Sequence, residues 1–83
     1  MEQTHRTEAV VRQWRADEGW GVVAFPEVPE GCFVHFSDIV LPGDAYRELI
    51  PGTRVTVTWE YGEQDGYPAR ALRVEPSPPH TPG

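Results

Sequence analysis

Trp20-Gly21-Val22-Val23-Ala24-Phe25 and Cys32-Phe33-Val34-His35-Phe36, separated by a loop holding Pro26 and Pro29, decide the reading of this chain. Both segments are short, rich in β-branched and aromatic residues, and bounded by Gly or Pro, which is the pattern of neighbouring strands. At period two, Trp20 and Val22 point to one side and Gly21 and Val23 to the other. Likewise Phe33 and His35 share a side, with Cys32 and Val34 opposite. A small domain can hide Val23, Cys32 and Val34, but gains nothing by leaving Trp20, Phe33 and His35 in water unless they bind something. An exposed aromatic face of this kind is a stacking platform for unpaired bases. The opposite assignment, with the rings inside, breaks an aliphatic face that is continuous over three strands.

Working outward, a first strand is expected from Ala9 to Arg15, with Val11 inward and Arg12 outward, and Ala16 to Gly19 form the turn after it. Pro26 to Gly31 close a hairpin, and Ser37-Asp38-Ile39 begin a long connection in which Tyr46 to Leu49 make one short helical turn. From Arg54 to Tyr61 the alternation is clean, with Val55, Val57, Trp59 and Tyr61 on one face. A fifth strand covers Ala69 to Val74. The chain thus divides into a flexible lead-in over residues 1–7, one domain over 8–75 and a proline-rich disordered tail over 76–83. Short strands without a long helix give an all-β fold, a small five-stranded antiparallel barrel.

With 83 residues the core is small. No apolar run approaches the roughly 20 residues that cross a bilayer, and the N-terminal stretch lacks a signal pattern, so a cytoplasmic protein without a membrane partner is expected. Cys32 is the single cysteine, on the inward side of its strand, and reads as a small buried hydrophobe rather than a reactive thiol. The net charge of −6 argues against duplex DNA or an anionic membrane, but not against single strands held by stacking. All 7 basic residues are arginine, which also stacks on bases, and Arg12, Arg15, Arg47 and Arg70 are placed to form a local stripe.

These residues resemble the cold-shock domain family, in particular the bacterial cold-shock-like proteins. The family's first motif, KGFGFI, is matched by Glu18-Gly19-Trp20-Gly21-Val22-Val23, and its second, VFVHF, by Cys32-Phe33-Val34-His35-Phe36. Ser37 and Ile39 continue the second match, and the resemblance runs from about Ala9 to Val74. It implies an OB-fold barrel that binds single-stranded RNA or DNA as an RNA chaperone or regulator. By this resemblance Trp20, Phe33, His35 and Phe36 stack bases, and Tyr46 replaces a loop phenylalanine that does the same. Arg12 takes a phosphate-contacting position, Trp14 falls on the phenylalanine of the family's KWFN segment, and Arg15 replaces its asparagine. Strand parity places Phe36 inward with Val34, so it joins the platform only through a twist at the strand's end.

The departures matter as much as the matches. Gln13 stands where the family has a tryptophan, Val22 where its first motif has a second phenylalanine, and Glu18 where that motif opens with lysine. At about 1–3 kcal/mol per stacked base, two missing rings predict binding weaker than is typical of the family, with restoration at all three positions expected to tighten it.

Other constellations are sparse. His5, His35 and His80 are too scattered for a metal site, and Glu18 to Gly21 lack the spacing of a phosphate loop. No nucleophile and base pair is visible, so no enzyme, metal or cofactor is expected. The tail's PSPPHTP suits a solubilising end better than a polyproline ligand. The alternative function is a barrel that binds protein through its Trp20 and Phe33 face. A monomer is the expected state, with a homodimer as the alternative.

Overall fold

Alternating residues become five strands: β1 (His5–Arg15), β2 (Trp20–Phe25), β3 (Val28–His35), β4 (Arg54–Gln64) and β5 (Tyr67–Pro76), with a 3-10 turn at Phe36–Asp38. They close into a barrel in the order β1-β2-β3-β5-β4. The structure, a computed structural model, describes residues 3–40 and 49–76. The expected short helical turn, Tyr46, Arg47 and the tail beyond Pro76 lie outside them.

The barrel is the expected all-β, five-stranded one, with one refinement. β1 pairs antiparallel with both β2 and β4, and the β2–β3 and β4–β5 pairs are antiparallel as well, but β3 and β5 run parallel. A closed ring with an odd number of strands cannot alternate direction all the way round, so one seam must be parallel.

Several boundaries differ from the sequence expectation, and β4 runs on to Gln64 while β5 starts at Tyr67. β1 begins at His5, so residues 5–7 are paired with Trp59, Thr58 and Val57 rather than forming a lead-in. His5 and Thr7 continue the inward parity of Ala9 and Val11, and their polarity hid the pattern. Thr7 has a buried task, since its Oγ1 accepts the indole N–H of Trp59 at 3.1 Å. β3 starts at Val28, which is 1% exposed, so Pro26 and Glu27 alone make the turn. Pro76 ends β5 opposite Val55, at a strand terminus where a proline is tolerated.

The faces fall as the alternation requires. Val23, Cys32 and Val34 are wholly buried and join Val11, Val57, Val74 and Trp59 in the core. Burial pushes the Cys32 thiol up to about 12, as expected when an apolar interior disfavours the thiolate. Phe25, His5 and Tyr61 surround Trp59 at one end of the barrel, with centroids 4.7 to 4.8 Å away for Phe25, His5 and Tyr61. Tyr61 lies past the point where β1 stops pairing with β4 at His5 and Trp59, and it is exposed and meets Trp59 edge-on. No helix among the described residues is long and apolar enough to cross a membrane.

Candidate nucleic-acid interface

Pairing registers lay out the outer face row by row. One row runs Arg15, Trp20, His35 across β1, β2 and β3. The next runs Gln13, Val22, Phe33, Arg70, Glu60 and crosses the parallel seam into β5 and β4. Gly21, facing the opposite way, lets β1 and β2 approach closely: a Cβ there would lie 2.5 Å from both the Gln13 carbonyl oxygen and Trp14 Cε3.

The platform residues are brought together. Trp20 and Phe33 stack with centroids 5.6 Å apart and planes 23° from parallel. Phe33 is only 8% exposed, so it works from beneath, as the support on which Trp20 lies. His35 is exposed, and its Nδ1 accepts the Ser37 N–H at 3.3 Å with the Ser37 hydroxyl at 2.7 Å. Accepting a backbone N–H through Nδ1 puts the neutral ring's proton on Nε2, the nitrogen left for a ligand. Phe36 does come round: the strand ends at His35, Phe36 opens the 3-10 turn, and its N–H bonds the Gly19 carbonyl at 2.9 Å. Its ring is 43% exposed and lies 4.9 Å from that of His35.

β1 contributes differently from expectation. A bulge falls between Val11 and Gln13, with Arg12 as the extra residue. The bulge resets parity, so Arg12, Gln13 and Arg15 face outward while Trp14 turns in and packs against the core. Trp14 is therefore not part of the platform; its indole N–H is buried and has no acceptor among the described residues. Tyr46 lies outside the described residues.

Acids engage two of the three described arginines of the basic stripe. Arg15 pairs with Glu18 at 3.8 Å and holds its guanidinium carbon 5.7 Å from the Trp20 centroid. Arg70 donates to Glu60 through Nε at 2.8 Å. Arg6, Arg54 and Arg73 are likewise within 4 Å of carboxylates. Arg12 has no carboxylate partner among the described residues; its Nη1 donates instead to the Glu30 carbonyl at 2.8 Å.

Sequence reasoning put Val22 on the open side with Trp20 and gave Tyr67 no role. In the structure Val22 is wholly buried although it faces outward. Its Cγ1, Arg12 Nη1 and Tyr67 Cδ1 all converge on Gly31. Alternation with the buried Ala69 and Ala71 would turn Tyr67 inward, so no local pattern marks its place beside Gly31.

Over 59 residues the chain is 34% identical to the cold shock-like protein CspB of Escherichia coli (strain K12), an alignment covering 71% of this chain and 80% of that protein. The chain belongs to the cold-shock family. No model of a known protein family matches it. Among its described residues, this cold-shock protein has no group of His, Cys, Asp or Glu able to hold a metal ion. Its departures from the family motif sit on the outer face or beside it: Val22 and Gln13 in one row, and Glu18 holding the arginine that lies over Trp20.

Proposed function

We propose that the protein binds single-stranded RNA or DNA across this outer face, with little sequence preference, and acts as an RNA chaperone or regulator that keeps strands unpaired. The carrying observation is the contiguous aromatic surface of Trp20, His35 and Phe36, propped by Phe33 and flanked by Arg12. Bases stack on such rings regardless of identity, because every base has a π face. The proposed protein is a cytoplasmic binding module rather than an enzyme, monomeric and without a cofactor. Its affinity is lower than is typical of the family, since Arg15 and Arg70 are engaged by acids and Val22 offers no ring.

Titration with a short oligopyrimidine at low salt, followed by tryptophan fluorescence, tests this. Quenching that disappears in Trp20→Phe but persists in Trp59→Phe is the expected result. A second reading, a protein-binding barrel, is favoured by the carboxylate pairing of the arginines. No binding of pyrimidine-rich or mixed strands at low salt would leave it as the better account.

A further inference from the structure

Gly31 lies at a meeting point that the aromatic platform does not use. Its φ is +115°, and a Cβ there would stand 2.6 Å from Val22 Cγ1, 2.9 Å from Arg12 Nη1 and 3.4 Å from Tyr67 Cδ1. Side chains from β1, β2 and β5 thus close over a β3 residue that has none of its own. Both the left-handed backbone and the lack of space demand glycine. Tyr67 is half-buried, with its ring against this notch. Phe33 lies two residues further along β3 on the same side, so the notch continues the Trp20–Phe33 stack.

We propose that Tyr67 stacks a base and Arg12 holds the adjoining phosphate, forming a subsite on the β5 side that takes over where Val22 provides no ring. The inference rests on the single-strand reading above and deepens it. Arg12 suits the task because Glu30 anchors one N–H through its carbonyl oxygen, and no carboxylate among the described residues pairs with its charge. Arg70 is held by Glu60 and does not compete for the same phosphate. Tyr67 suits it because a ring held against Gly31 loses little freedom when a base covers it.

The test uses the full chain and oligopyrimidines of graded length. Tyr67→Phe should bind like the unaltered protein. Tyr67→Leu, which keeps apolar packing on Gly31, should bind about five- to a hundredfold more weakly at unchanged salt dependence. Arg12→Gln should lower the slope of log affinity against log salt by about one. On strands too short to reach past Trp20, Tyr67→Leu should have no effect. Equal weakening by Tyr67→Phe and Tyr67→Leu would overturn stacking in favour of a hydroxyl contact. Unchanged affinity in Tyr67→Leu, with Trp20→Ala weakened, would overturn the subsite while leaving the platform intact. If the unaltered protein binds no strand, the single-strand reading itself fails. A check independent of folding variants is the proton spectrum of the unaltered protein: Tyr67 ring resonances unmoved at saturation would also overturn the proposal.

Discussion

Family resemblance alone argues that Val22→Phe restores a stacking ring and tightens binding, and the structure argues the reverse. Val22 is 0% exposed, with Gly31, Arg12 and Tyr67 gathered round it. Replacing its isopropyl group by a benzyl group must displace the Tyr67 ring, dislodge the Arg12 guanidinium or push the Gly31 backbone. Overpacking of that kind costs about 1–3 kcal/mol. For a domain of this size each kcal/mol lowers the thermal midpoint by about 4–8 °C. The expected outcome is therefore a midpoint lower by at least about 4 °C, an unchanged urea m-value and no gain in affinity. Adding Tyr67→Ala should make room for the new ring, so the double variant should recover stability with a coupling of about 0.5–3 kcal/mol. Urea unfolding of both single variants and the double variant, alongside oligopyrimidine titration, measures all of this. A Val22→Phe protein as stable as its parent and binding more tightly would refute the reasoning, because it would show open space above Val22.

Trp20→Ala should weaken binding about five- to a hundredfold while changing stability little, whereas Trp59→Ala should lose about 3–5 kcal/mol of stability; equal losses in urea unfolding would mean the two faces are misassigned. Glu18→Lys should tighten binding and steepen its salt dependence by up to about two, from the new lysine and the released Arg15; a titration series from low to high salt with an unchanged slope would count against it. For Cys32 the direction follows from its thiol, ordinary near 8.5 when unfolded and raised to about 12 in the fold. Between those values the unfolded chain has lost a proton that the folded chain keeps. Stability is thus fully present below about pH 8.5 and falls as pH rises, by about 1.4 kcal/mol per unit. Urea midpoints from pH 7 to 10 should fall more steeply in the parent than in Cys32→Ala, and parallel curves would exclude the effect.

The sequence alternation was enough to place Trp20, Phe33 and His35 outside and Val23, Cys32 and Val34 inside, because β2 and β3 are each apolar on the buried side. It does not reveal that Trp14 turns inward, for a definite reason. Arg12 and Gln13 are both polar, so nothing in the pattern reveals that one of them is an extra residue, and a single bulge reverses every later side chain on the strand. His5 and Thr7 were missed because they are polar residues on an inward parity. Phe33 was legible as a platform residue but not as a nearly covered one, since its cover comes from Trp20 on a neighbouring strand. The convergence on Gly31 depends on a positive φ and on three strands meeting, which no local window contains.

The parallel seam has a consequence for how this barrel holds together. β3 and β5 meet in register only at Cys32 with Ala69 and Phe33 with Arg70. Every other seam is longer, and the hairpins β2–β3 and β4–β5 are local in sequence, so this seam is short and joins residues distant in the chain. Phe33 stands on one side of that seam, while Arg70 and Tyr67 stand on the other. A strand bound from Trp20 across Phe33 to Tyr67 would lie over it like a latch, tying two halves that the backbone joins most weakly. Any ligand that binds only the closed ring holds it closed, by about 2.7 kcal/mol at a hundred times its dissociation constant. On the proposed reading, the surface that takes up a single strand would also be the place where that strand fastens the protein.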